Sequence, residues 1–171
     1  AEAHGQGVDR EALLKIQLRC SAAVARAELR AGEAKMERAN RLADGPDPEP
    51  LSRTLRRLRH DMAMLARALV APFPEAMESP FVNALTVVLH ALEAWLSGMA
   101  DSLSSRKEAP SLDGMKAALE DLRSAIAQVS EKRFASSTEK EDIRRVFVLL
   151  FIFDQMAQNL RDLADRAREL A

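Results

Sequence analysis

The chain has 171 residues, of which 47% are hydrophobic, so it is long and apolar enough for one domain with a sizeable core, and wholesale disorder is excluded. The formal net charge of −1 leaves no basic excess of the kind that nucleic-acid binding needs, so we expect no nucleic acid among the partners. The single cysteine, Cys20, excludes an internal disulfide and fits a reducing compartment.

Helix-forming residues dominate the composition, and no segment shows the alternating pattern of a strand. The chain is therefore predicted to be all-α, a bundle of about five long helices with antiparallel neighbours. The first helix is predicted from Asp9, as N-cap, to about Asp44, before Gly45 and Pro46. Residues at helical spacing, most of them small, are expected to face a neighbouring helix: Leu14, Leu18, Ala22, Ala25, Leu29, Gly32, Met36, Ala39 and Ala43. Such a face is compatible with a homo-oligomer formed through this helix.

The second helix is predicted to begin with Asp47 as cap and Pro48 in the first turn, and to stop at Pro72 and Pro74. Its apolar stripe is Leu51, Leu55, Leu58, Met62, Leu65 and Leu69. The other faces carry a basic cluster of four arginines, Arg53, Arg56, Arg57 and Arg59. This basic cluster is a candidate surface for anionic lipid, phosphate or an acidic partner. The alternative is a solvated helix face.

The third helix is predicted to start at Ser79 and Pro80, with a core stripe of Phe81, Leu85, Val88, Leu92, Trp95, Met99 and Leu103. A polar stripe that includes His90 and Glu93 favours an amphipathic helix over a membrane span. Di-iron bundles use Glu-x-x-His on two helices and two further glutamates. Here the order is reversed and occurs once, so we predict no metal site, and a carboxylate-bridged metalloenzyme is only a third class of function.

The fourth helix is predicted to follow a Ser111 cap, with an apolar seam of Leu112, Met115, Leu119, Leu122, Ile126 and Val129. The fifth is predicted from Thr138 to the last residue. Its inward residues are expected to be Ile143, Phe147, Leu150, Phe153 or Asp154, Ala157, Leu160 and Ala164. Because the run from Val146 to Phe153 is apolar on all sides, its middle is expected to be the most buried part of the bundle.

Polar residues on the second and fifth helices form a candidate network: His60, Asp61, Asn159, Arg161, Asp162 and Arg166. Asn159 and Asp162 share a face, from which they can hydrogen-bond to helix two or three. The alternatives are a surface salt-bridge mesh and, at His60 and Asp61, an exposed pair with no role. The sequence contains no phosphate-binding loop, Cys-x-x-Cys, His-Glu-x-x-His or nucleophile elbow, so we predict no catalytic site and no cofactor.

Two segments carry a family resemblance, TLRRLRHDMAMLARALVAPFPE from Thr54 to Glu75 and IRRVFVLLFIFDQMAQNLRDLADRARELA from Ile143 to Ala171. Both resemble the soluble domain of the fusaric acid resistance (FUSC) family of inner-membrane aromatic acid exporters. The resemblance implies a parent with two helical membrane blocks and a soluble domain on the cytoplasmic side. It also implies export of small aromatic carboxylic acids together with a membrane-fusion subunit.

We therefore expect 1–171 to be a single soluble helical domain excised from a larger membrane protein. Its partners would be the flanking transmembrane helices, a membrane-fusion subunit and further copies of itself. Its expected function is non-catalytic: structure, assembly or gating of the exporter. The alternative is a free-standing helical-bundle sensor or adaptor that binds a small ligand or a partner helix.

Overall fold

The computed structural model describes residues 10–40, 47–70, 80–105, 107–132 and 137–170. They form five helices: α1 Arg10–Ala39, α2 Glu49–Leu69, α3 Pro80–Ser105, α4 Asp113–Lys132 and α5 Ser137–Leu170. No strand occurs in these ranges, and the predicted all-α bundle is confirmed. The boundary residues predicted at Asp9, Ala43, Asp44, Gly45, Pro46, Pro72, Pro74, Ser79 and Ala171 lie outside the described residues.

Two predicted helix caps are confirmed by hydrogen bonds. The Asp47 carboxylate accepts the backbone N–H of Glu49 at 3.0 Å, and the Ser111 hydroxyl accepts that of Asp113 at 3.1 Å. Each bond satisfies one of the amide groups that have no partner inside the helix. Pro48 has helical backbone angles, and its lack of an N–H costs nothing at this position.

α2 is the central helix of one half of the bundle, since it packs along both α1 and α5. Ion pairs from Lys35 to Glu49 and from Glu28 to Arg56 show that α1 and α2 run antiparallel, because residue numbers fall along one helix as they rise along the other. The bonds between α2 and α5, given below, have the same sense. α3 packs along α4, and α4 contacts α5.

The core is built mainly by α3, α4 and α5. The predicted α3 stripe is buried from Phe81 to Met99, but Leu103 is 45% exposed. α4 begins opposite Trp95, whose indole N–H donates to the carbonyl of Pro110 at 3.1 Å, so Leu103 extends beyond the start of α4. By length and composition α3 is also apolar enough to cross a membrane, a property it shares with core helices of soluble proteins.

The predicted seam of α4 is confirmed over most of its length. Met115, Leu119, Leu122 and Ile126 are buried, and Leu112 packs against the core at the start of the helix. The side chain of Val129 lies outside the described residues. Large apolar side chains recur at regular spacing on one side of α4, and they pack against the neighbouring helices. The sequence pattern was therefore enough to predict which side of α4 faces the core.

The expected burial of α5 is correct in its second half, whereas its apolar run is buried on one side only, at Val146, Leu149, Ile152 and Phe153. Phe153, Leu160 and Ala164 are buried as predicted, whereas Phe147 is 51% and Phe151 is 68% exposed. A run that is apolar on all sides carries no information on which side faces the core. α2 and α4 cover one side of α5, and no other described helix packs extensively along it. The side chain of Ile143 lies outside the described residues.

The predicted inward face of α1 is also wrong, although its helical period is right. Leu14, Leu18, Leu29 and Met36 each expose more than half of their surface. Val24 is the buried hydrophobic residue among the described residues of α1, and it belongs to a different face, about a third of a turn away, which packs on α2. Both faces repeat apolar residues at helical spacing, so the sequence pattern could not show which of the two faces is buried.

Candidate functional site

α2 has a buried face that includes polar residues. Thr54, Leu58, Asp61 and Leu65 are all buried and recur at helical spacing on one side of the helix. Of the predicted apolar stripe, Leu58 and Leu65 belong to this face, whereas Met62 is 36% exposed. The other members, Leu51, Leu55 and Leu69, are partly buried against the core. Thr54, Leu58, Asp61 and Leu65 follow one another at steps of four and three, and this spacing is the signal in the sequence from which the burial of the two polar residues could be predicted.

Asp61 and Asn159 form a buried hydrogen bond between α2 and α5. The Asn159 Nδ2 donates to Asp61 Oδ2 at 2.6 Å, and the two residues are only 6% and 2% exposed. Burial raises the pKa of the Asp61 carboxyl, because water no longer solvates its charge. The bond from Asn159 and the charges of His60 and Arg57 oppose this rise in pKa. The pair therefore fixes α2 against α5.

Arg57 adds a second bond between the same two helices. Its Nη2 donates to Asp162 Oδ2 at 2.6 Å and to the buried Thr54 hydroxyl at 3.1 Å. The Thr54 hydroxyl in turn donates to the carbonyl of Pro50 at 3.1 Å. The predicted hydrogen bonding of Asn159 and Asp162 to helix two is thus present in the structure.

The remaining members of the predicted network lie elsewhere. Arg166 pairs with Glu169 on its own helix at 2.5 Å, and this bond is the main cause of its raised pKa. Arg161 is exposed and lines a separate groove beside Asp165. His60 is exposed, and it lines the cleft between α1 and α2. The structure therefore combines Asp61, Asn159 and Asp162 with Arg57 of the basic cluster, and these four residues are called the α2–α5 polar seam below.

The basic cluster is divided between different neighbours. Arg56 pairs with Glu28 of α1 at 2.8 Å, Arg57 with Asp162 of α5, and Arg53 weakly with Glu49 of α2 itself at 3.5 Å. Such half-exposed pairs contribute roughly 0–1 kcal/mol each, so they position helices more than they stabilise the fold. Arg56 and Arg57 thus connect α2 to neighbouring helices and Arg53 pairs within α2, so the three arginines do not form one free cationic face.

Arg59 differs from the other three, because it lines the α1–α2 cleft. This cleft is a cavity of about 400 Å³ between α1 and α2, with Leu92 of α3 also in its wall. Its apolar lining is Leu13, Ile16, Met62, Ala63, Leu65, Ala66 and Leu69. Its polar lining consists of Gln17, Cys20, Ser21, Arg59 and His60. Arg59 is half-buried and forms no ion pair with any residue in the described ranges.

The residues considered for metal or thiol chemistry are not assembled into a site. His90 and Glu93 are both exposed on α3. Within the described parts of the chain, no three His, Cys, Asp or Glu side chains gather as metal ligands would. Cys20 is a free, half-buried thiol in the wall of the α1–α2 cleft.

Comparison of the chain with protein-family models, with curated proteins and with solved structures gives no match.

Proposed function

We propose that this chain is the non-catalytic cytoplasmic domain of a FUSC-type exporter, an inner-membrane protein that exports aromatic carboxylic acids. The domain would couple the parts of the exporter that adjoin its two ends. The proposal combines the sequence resemblance with one structural observation: α1 is joined to α5 mainly through α2. Movement at one end of the domain would therefore reach the other end through this single helix.

Polar bonds on both sides of α2 support such coupling. Towards α1, Glu28 pairs with Arg56 and Lys35 pairs with Glu49. Towards α5, the α2–α5 polar seam supplies two further bonds. Each side has bonds at two levels along the helix, which resists sliding better than an apolar contact alone, because hydrogen bonds are directional.

Exposed apolar side chains supply surfaces for assembly. Leu18 and Leu29 of α1 and Phe147 and Phe151 of α5 all expose about half of their surface or more. Leu18 and Leu29 share one face of α1, and Phe147 and Phe151 are one turn apart on α5. Exposed apolar residues that recur on one helix face are typical of surfaces that a partner covers. In an exporter the covering partner would be a membrane block, a membrane-fusion subunit or a second copy of the domain.

The coupling role can be tested in the full-length parent protein with a matched pair of arginine variants. Arg57→Gln removes the bond to α5, whereas Arg53→Gln removes only a bond within α2. Cells that lack other exporters would express either variant, and efflux of fusaric acid would be measured at equal amounts of protein in the membrane. We expect Arg57→Gln to lower efflux and Arg53→Gln to leave it unchanged. Equal efflux from the two variants, or a reading frame with no apolar segments of about 20 residues beside this domain, would refute the proposal.

A free-standing ligand sensor is the second candidate function, and the α1–α2 cleft favours it. A reading frame that starts just before Ala1 and stops just after Ala171 would select this candidate over the exporter. Ligand binding to the isolated chain would be required as well.

A further inference from the structure

We infer that the α1–α2 cleft binds a small organic anion, a molecule with an apolar body and one carboxylate. This inference holds whether or not the chain belongs to an exporter. The cavity of about 400 Å³ has the size of a small-molecule site, for which the usual range is about 300–1,000 Å³. Apolar side chains from α1 and α2 form most of the wall, as expected for a site that buries a hydrocarbon or aromatic body.

The charge of the lining selects an anion. Arg59 and His60 are the basic groups of the cleft, and none of the described residues that line it is Asp or Glu. Asp61 follows these two residues in the sequence, but its carboxylate is bonded to Asn159 on the α5 side of the helix. Among the described lining residues a cationic ligand would find no counter-charge, whereas a carboxylate would find the guanidinium of Arg59.

Arg59 is the anchor of the proposed site. The other three arginines of the basic cluster each meet a protein carboxylate, while Arg59 has no such partner among the described residues. A half-buried guanidinium without an anion forgoes its strongest interaction, the two parallel hydrogen bonds that it can donate to one carboxylate. A bound carboxylate would supply that interaction and leave the apolar body of the ligand against the leucines of the cleft.

Polar groups of α1 complete the site. Gln17 and Ser21 lie on the opposite wall from Arg59, and their amide and hydroxyl groups can donate to the second carboxylate oxygen. The ligand would thus contact both helices at once. A flat aromatic acid and a medium-chain fatty acid share this chemistry, and the choice of probes separates them.

Isothermal titration calorimetry of the 171-residue protein tests the site with 1-naphthoate and with decanoate. The neutral analogue 1-naphthalenemethanol measures the contribution of the charge. Arg59→Met removes the proposed anchor, and Arg53→Met is the matched control outside the cleft. Ala66→Phe fills the apolar wall without changing any charge, so it tests the cavity independently of the arginine. Thermal unfolding of each variant shows that it remains folded.

We expect at least one of the two acids to bind, with one molecule per chain. Compared with the unaltered protein, Arg59→Met should bind that acid about tenfold more weakly, and Arg53→Met should bind it with the same affinity. Ala66→Phe should abolish binding, and the alcohol should bind about tenfold more weakly than naphthoate. Preference for naphthoate would identify a flat aromatic ligand, and preference for decanoate an acyl chain. The inference is overturned if neither acid binds saturably, if Arg59→Met binds as the unaltered protein does, or if the alcohol binds as tightly as naphthoate.

Discussion

Replacement of Asn159 by leucine isolates the contribution of the α2–α5 polar seam to stability. The substitution keeps a side chain of similar size but leaves the Asp61 carboxylate buried without its hydrogen-bond donor. A hydrogen bond to a charged group contributes about 1.5–3 kcal/mol, and the added apolar surface of leucine offsets part of the loss. We expect the free energy of unfolding to fall by about 2 kcal/mol, which for a domain of this size lowers Tm by about 4–8 °C.

Urea unfolding followed by circular dichroism measures this change, and a double-mutant cycle assigns it to the pair. Asp61→Leu combined with Asn159→Leu replaces both polar partners by apolar groups, so the double variant should recover most of the stability that Asn159→Leu loses. The cost of Asn159→Leu should also shrink at acid pH, since a protonated Asp61 carries no buried charge.

Gln158→Leu is the matched control, because it makes the same chemical change at an exposed position one residue away. We expect it to alter the free energy of unfolding by less than about 0.5 kcal/mol. If Asn159→Leu were equally mild, or if the two substitutions of the cycle were additive, the bond between Asn159 and Asp61 would not stabilise the contact between α2 and α5.

Two further predictions concern α5 and the pH dependence of stability. Phe153→Ala should destabilise the protein by about 3–5 kcal/mol and Phe151→Ala by less than about 0.5 kcal/mol, since the former side chain is fully buried and the latter is 68% exposed. Urea unfolding of both variants checks this, and equal losses would contradict the observed phase of α5. Burial raises the pKa of Asp61, so the folded state keeps its proton to a higher pH than the unfolded chain does. This contribution to stability is present at low pH and is lost as the pH rises through the raised pKa. Asparagine has no such proton, so only the unaltered protein should lose stability in that range. The free energy of unfolding of Asp61→Asn, relative to that of the unaltered protein, should therefore increase as the pH rises through the raised pKa. A difference that does not change with pH would contradict the raised pKa.

The fold class, the two described caps and the core faces of α3 and α4 could be predicted from the sequence. In these helices branched and aromatic residues such as Leu122 and Trp95 recur on one side only, so the period and the phase of the helix are both defined. α1 and the apolar run of α5 are different. Leu18 and Val24 lie on different faces of α1, each with apolar neighbours at helical spacing, and packing against α2 decides which face is covered.

The candidate sites show the same limit. Residue types and spacing identified Asn159, Asp162 and the arginines of α2 as candidates. The partner of each arginine depends on the rotation of α2 between α1 and α5, which local sequence does not specify. This rotation separates Arg57, bonded to α5, from Arg59, which lines the α1–α2 cleft. The burial of Asp61 follows from the same rotation.

The shallow attachment of α1 has a consequence for the distribution of stability. Val24 is the residue that α1 contributes to the described hydrophobic interior, whereas α3, α4 and α5 interlock through many buried side chains. Proteins open locally in units whose free energies follow the apolar contacts that are lost. α1 should therefore exchange its amide hydrogens faster than the other four helices, through detachment as a unit. Because α1 forms one wall of the cleft, any ligand held there would slow that exchange by mass action, and ligand occupancy would be read out as protection of the first helix.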